Sequence, residues 1–245
     1  MYTSSSYIVD FLLAQNINKA FVVTGGACAF IVDEMGTNKN FEYTSFHHEQ
    51  SAAMAADAVY RVDNSQIGVT IATSGPGATN LITGIACSYF DSIPSIHITG
   101  QVNSKESAKY LNANVRQAGF QETDIVEMVK PITKAAKKVE NFKDLKDTLE
   151  EFYKIATTGR MGPVLIDIPM DIQQEEVPKN LINKIILSKN FKLELLNYNN
   201  ELNLLFMDKK IKKILPYSYT SISEKKNLIE IYNASNVSNF TSKFL

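Results

Sequence analysis

Phe41-Glu42-Tyr43-Thr44-Ser45-Phe46, then His47-His48-Glu49-Gln50, then Ser51-Ala52-Ala53-Met54-Ala55-Ala56 is a stretch in which the chain changes its local habit. The first six residues read as extended. From Ser51 to Val62 the run is rich in alanine and holds neither glycine nor proline, which predicts a helix. His47 to Gln50 therefore closes a strand and opens a helix. Glu49 falls in the first helical turn, where unpaired backbone N–H groups and the helix dipole favour a carboxylate. Two readings fit that position: a carboxylate that caps the helix, or an acid that lines a pocket at the end of a buried strand.

Outward from this junction the same strand-to-helix pattern repeats. Thr3 to Gln15 reads as a helix with Tyr7, Ile8, Phe11 and Leu12 on one face. Ala20-Phe21-Val22-Val23 is a short buried strand, and Thr24-Gly25-Gly26-Ala27 turns it into a helix running through Ile31 and Met35. Adjacent glycines at a strand end permit a tight turn or let a ligand approach bare backbone. Ile67 to Thr73 is another strand; Ser74-Gly75-Pro76-Gly77-Ala78-Thr79-Asn80 then leads into a helix from Leu81 to Tyr89. That turn is not a phosphate loop, because no lysine followed by Ser or Thr comes after its last glycine. Nor is it a dinucleotide fingerprint, because Asn80 stands where the third glycine would be.

Ser95 to Thr99 gives a further strand ending at Gly100-Gln101. Ile132 to Val139 and Pro163 to Ile168 read as strands, with a helix from Leu145 to Thr157 between them. Strands separated by helices predict an α/β fold of three layers, a mostly parallel sheet with helices on both faces. Ligands in such sheets bind beyond the carboxyl ends of the strands. Gly25-Gly26, Glu49, Ser74 to Gly77 and Gly100-Gln101 all fall there, and this convergence favours the pocket reading of Glu49.

Composition divides the chain near Pro178. All 11 glycines lie between Gly25 and Gly162, whereas 178–245 holds 11 lysines and 11 asparagines. The tail carries a net charge of +6 against -7 for residues 1–177. The division predicts one domain over 1–177 and a Lys/Asn-rich tail, irregular or helical, over 178–245. A net charge of -1 for the whole gives no reason to expect nucleic acid or an anionic membrane as partner. Met1 to Ser6 lacks the features of a signal peptide and no apolar run approaches spanning length, so the expected location is cytoplasmic. Cys28 and Cys87 read as reduced packing residues. His47 and His48 face opposite ways in an extended segment, which argues against a shared metal, and no metal site is expected. Ser74 lacks a nucleophile-elbow sequence, which excludes a hydrolase triad.

Taken together, Gly25-Gly26-Ala27, His48-Glu49-Gln50 and Thr73 to Leu81 resemble the pyrimidine-binding domain of thiamine-diphosphate enzymes of the acetolactate synthase and pyruvate oxidase group. Asp91-Ser92-Ile93-Pro94, Ile98 to Val102, Phe120 to Val126 and Gly159 to Val164 continue the likeness in the same order. The resemblance implies decarboxylation of a 2-oxo acid such as pyruvate and carboligation of the product. Glu49 matches the acid that hydrogen-bonds N1′ of the aminopyrimidine and makes its imino tautomer accessible. A carboxyl shielded from water suits that contact. Gly25, Gly26, Pro76 and Gly77 would press on the pyrimidine ring, with Asn80 as a polar contact. Phe120 and Gln121 would reach the substrate side of a neighbouring subunit's site.

There are departures. Asn103 and Met161 stand where members of the group often have proline. Arg160 matches a position that touches FAD in flavin-containing members, and a helix-end cation is its other reading. The Gly-Asp-Gly motif that holds the diphosphate and Mg²⁺ in a separate domain of the family is absent from the sequence. A dianionic diphosphate needs charge-assisted contacts and a metal. The expectation is therefore a pyrimidine-binding half that works as a homodimer or with a companion diphosphate-binding chain, and is inactive alone. The alternative is a truncated, non-catalytic interaction module of the same family.

Overall fold

The computed structural model describes residues 1–178, so the expected tail lies outside the described residues. The chain opens with α1 (Ser4–Ala14), capped by Thr3, whose side chain accepts from the Ser6 amide while Ser6 reaches back to the Thr3 N–H. Then come β1 (Lys19–Val22), a 3-10 turn over Gly26–Cys28, α2 (Ala29–Thr37), β2 (Glu42–Ser45) and α3 (Glu49–Val62). Next are β3 (Gly68–Ala72), α4 (Pro76–Asn80), α5 (Ile82–Phe90) and β4 (Ser95–Gln101). The domain finishes with α6 (Ile125–Val129), β5 (Ala135–Lys138), α7 (Phe142–Thr157), β6 (Val164–Pro169) and α8 (Met170–Gln173).

The six strands form one all-parallel sheet in the order β2-β1-β3-β4-β6-β5. Parallel neighbours require crossovers, and the helices that make them fall on two faces. One face is an aliphatic and aromatic core. Tyr7, Ile8 and Leu12 of α1, Ile31 and Met35 of α2 and Leu145 and Leu149 of α7 pack there on Val69, Ile71, Ile96, Ile98 and Ile166. Ala53 of α3, Leu81, Ile85 of α5 and Ile125 and Val129 of α6 cover the other face with Ala72 and Leu165. The three-layer α/β architecture read from the sequence is thus the observed one.

Local differences have local causes. Pro76 starts a separate short helix over the stretch read as a turn, and the helix expected from Leu81 to Tyr89 follows it as α5. Pro131 places a 3-10 turn over Lys130–Ile132, and the strand expected from Ile132 begins only at Ala135. No helix among the described residues is long and apolar enough to cross a membrane.

The second face also buries polar groups. Thr70 and His97 are cross-strand partners, as are Thr99 and Asp167, and none is more than 1% exposed. His97 Nδ1 lies 2.7 Å from Thr70 Oγ1 and Nε2 lies 2.9 Å from Ser95 Oγ, so both ring nitrogens have partners. The ring therefore belongs to the core, whereas His47 and His48 are exposed.

Burial pushes His97 down to about 3 from its ordinary 6.5. The native ring stays neutral while the unfolded chain takes up a proton, so this contribution to stability is present above pH 6.5 and lost as pH falls toward 3. Urea unfolding at about pH 7 and about pH 4.5 should show a larger loss for the wild type than for His97→Asn, by up to about 1.4 kcal/mol per pH unit.

Candidate functional site

Between β1 and β3 the sheet order reverses. The chain leaves β1 toward α2 on one face and leaves β3 toward α4 and α5 on the other, which opens a crevice at the carboxyl edge. Thr73, the first residue beyond β3, sits across this crevice. A Cβ at Gly25 would stand 2.6–2.8 Å from the Thr73 side chain, and one at Gly77 would stand 2.7 Å from Thr73 Cγ2. Thr73 Oγ1 accepts the Ala27 amide at 3.2 Å, which fixes the turn after β1 to the turn after β3. Glycine at 25 and 77 is thus required by close packing. Gly25 itself has ordinary extended backbone, with φ -172°.

Gly26 differs. A Cβ there would meet nothing within 4 Å, and its φ is not positive, so neither packing nor conformation demands glycine. Bare backbone beside open space fits the approach of a ligand.

Glu49 is the first residue of α3 and is 8% exposed. The helix cap is supplied by His48, whose Nδ1 accepts the Gln50 amide at 3.2 Å, so Glu49 is released from that task. Its Oε2 accepts from Asn80 Nδ2 at 2.9 Å. Its Oε1 would lie 3.2 Å from a Cβ at Gly77 and makes no hydrogen bond among the described residues. Nearby Cys28 is buried and donates to the Gly25 carbonyl at 3.4 Å. Burial pushes its thiol up to about 11, with the Glu49 charge adding to the rise, so it packs as a neutral group.

A second set of contacts lies on the β4 and β6 side. Gly75 has φ +61°, and a Cβ there would stand 2.7 Å from Gln121 Cβ and 2.9 Å from the Gln121 carbonyl. Gln121 has φ 55°, the left-handed region that a residue with a side chain rarely adopts. Phe120 beside it is 80% exposed. Gln101, 2% exposed, donates through Nε2 to Asp167 Oδ2 at 3.0 Å and to the Thr123 carbonyl at 2.9 Å. Burial pushes the Asp167 carboxyl up to about 6 against the pull of its hydrogen bonds from Thr99 and Gln101.

The structure therefore brings Gly25, Gly77, Glu49 and Asn80 together around Thr73, with Gly26 beside them. Pro76 is exposed at the start of α4. Gln121 lies against Gly75 of its own chain and Phe120 points outward. Asn80, expected as a polar contact of the ligand, donates to Glu49, and Thr73 was missed altogether. The signal for Thr73 was its place between a strand and a glycine turn, but that spacing does not reveal a contact with a turn 46 positions away. Arg160 donates through Nε to Ser92 Oγ at 2.8 Å, bracing the turn after α5. Among the described residues no group of three or more His, Cys, Asp or Glu side chains is arranged to hold a metal ion. An open hollow beside β5 and α7, lined by Lys130, Lys134, Lys137 and Glu151, shares no residue with this cluster.

The family described as thiamine pyrophosphate enzyme, N-terminal TPP binding domain, matches residues 2–128, more than half of the chain. The chain belongs to that family. Among similar proteins, the acetolactate synthase large subunit of Cyanidium caldarium is 41% identical over 177 residues, 71% of this chain and 29% of that protein. The acetolactate synthase isozyme 2 large subunit of Escherichia coli (strain K12) is 41% identical over 169 residues, 69% of this chain and 29% of that protein. Acetolactate synthase, chloroplastic, of Arabidopsis thaliana is 38% identical over 168 residues, 69% of this chain and 24% of that protein. The chain thus spans under a third of the length of these curated relatives.

The thiamine pyrophosphate enzyme domain described here is the pyrimidine-binding one of acetolactate-synthase-like proteins. Its crevice fits one end of that cofactor: a shielded carboxyl with a free oxygen, a bare glycine beside open space, and turns packed too closely to admit side chains. Thr73→Val should keep the fold but lose the Ala27 hydrogen bond, lowering stability by about 1 kcal/mol in urea titration and speeding amide exchange at Ala27.

Proposed function

We propose that this domain holds the aminopyrimidine of thiamine diphosphate in the crevice between β1 and β3, with Glu49 as the acid that hydrogen-bonds the ring nitrogen. The observation that carries the reading is Glu49, 8% exposed at a strand end, whose Oε1 makes no hydrogen bond among the described residues while Asn80 fixes its other oxygen. A carboxyl so placed can pass or hold one proton at a ring nitrogen. Gly25, Gly26, Pro76 and Gly77 line the ring's seat, and Asn80 orients the acid. When bound, the cofactor supplies a carbon nucleophile that adds to a 2-oxo acid such as pyruvate, leading to decarboxylation and carboligation. Phe120 and Gln121 stand on the substrate side.

The diphosphate and its Mg²⁺ belong, in this reading, to a second domain or a companion chain, and the working unit is a homodimer or such a pair. Exposed Met54, Phe90 and Phe120 offer apolar surface for that assembly. FAD has weaker support, because Arg160 is engaged with Ser92. The alternative is a non-catalytic interaction module, favoured by the same exposed side chains.

Purified chain with thiamine diphosphate, Mg²⁺ and pyruvate should show no turnover alone and should gain it with a diphosphate-binding domain of an acetolactate synthase. In that mixture Glu49→Gln should lower turnover by at least about a hundredfold. Turnover by the chain alone sinks the half-site; unchanged turnover in the variant sinks the role of Glu49.

A further inference from the structure

Gln121 is the residue whose backbone conformation most needs an explanation. A left-handed glutamine costs on the order of a kcal/mol or more and persists only where its surroundings over-determine it. The bracing begins on both sides of the residue. Gly119 lies so close to Val102 that a Cβ would stand 2.8 Å from Val102 Cγ2. Glu122 accepts the amides of Ala108, Ala118 and Gly119. The far end of the loop is tied by the Thr123 carbonyl to Gln101.

Gln101 is a fully used amide. Its two N–H bonds go to Asp167 and to Thr123, and its Oε1 accepts the Val102 amide at 3.1 Å. The orientation of that amide is therefore set by which of its neighbours accept and which donate. Asp167, held by Thr99 Oγ1 at 2.7 Å, presents an acceptor. Four residues on, Asp171 Oδ1 accepts the amide and hydroxyl of Ser104 at 3.0 and 3.1 Å. Both ends of the segment between β4 and α6 thus lead back to carboxylates, Asp167 in β6 and Asp171 in α8.

We propose that Asp167 is a positioning residue which, through the Gln101 amide and the Thr123 carbonyl, holds Gln121 against the Gly75 turn. The functional sense of this strut rests on the reading of Gln121 as a substrate-side residue; the strut itself does not. Removing the acceptor at 167 leaves one Gln101 N–H unpaired in a buried place, and the amide has no other arrangement that also satisfies Val102 and Thr123. An asparagine at 167 can turn its carbonyl to Gln101 and its NH₂ to the Thr99 hydroxyl, so it preserves the strut.

The test is hydrogen–deuterium exchange on the full chain, comparing peptides over residues 118–125 with peptides over α3 and β3. Asp167→Leu should raise exchange over 118–125 at least about tenfold with α3 and β3 unchanged. Asp167→Asn should stay within about threefold of the wild type. Gln101→Met, which keeps the shape and removes the polar atoms, should match Asp167→Leu and serves if that variant does not fold. Wild-type protection over 118–125 in Asp167→Leu or Gln101→Met overturns the proposal. So does a rise spread evenly over the sheet, or an Asp167→Asn variant that behaves like Asp167→Leu. With a diphosphate-binding domain added, Asp167→Leu should lower kcat for pyruvate more than it raises KM. Full turnover alongside a released loop would remove Gln121 from the substrate side and leave the strut standing.

Discussion

The contact on which the site depends is Thr73 wedged between two glycines that follow different strands. Its methyl and hydroxyl occupy the space where side chains at Gly25 and Gly77 would be, and its oxygen receives the Ala27 amide. The turns that follow β1 and β3 are consequently held against each other at the reversal of strand order. Glu49 arrives there because β2 delivers the start of α3 to the same edge, and because His48 already caps the helix. A carboxyl relieved of capping, with one oxygen tied to Asn80, has its remaining oxygen to offer. In water-poor surroundings such a group is costly unless something meets it.

The rest of the edge is organised for rigidity. The segment that carries Phe120 and Gln121 is long and has little regular structure, yet Glu122, Gln101, Asp167 and Asp171 anchor it at several points. Loops that bear function on a rigid scaffold follow this plan. The exposed Phe120 at its tip contrasts with the held Gln121 beside it, and only a second surface could bury that ring.

The sequence disclosed the layers because the apolar strands and intervening helices are strongly patterned: α1 and α7 carry apolar residues at helical spacing that pack into the core, and each strand is too short to be a helix. It also placed Glu49 and the glycine turns at the carboxyl ends of strands, where the structure has them. What it could not disclose were contacts across large separations. Thr73 with Ala27, Asn80 with Glu49 and Gln101 with Asp167 span 46, 31 and 66 positions, and no local period encodes them. The late start of β5 at Ala135 and the short helix opened by Pro76 followed from prolines whose effect depends on one residue of phase.

The buried polar row on one side of the sheet has a further consequence. Thr70, His97, Thr99 and Asp167 alternate with Val69, Ile96, Ile98 and Ile166, whose side chains fill the aliphatic and aromatic layer. Sliding β4 or β6 by a single residue would drive an imidazole or a carboxyl into the largely apolar layer that packs on α1 and α7, away from the partners that now satisfy it. Misaligned pairings are thereby penalised at every rung, and the sheet proofreads its own alignment as it assembles. The carboxyl edge where the crevice lies inherits its accuracy from that penalty.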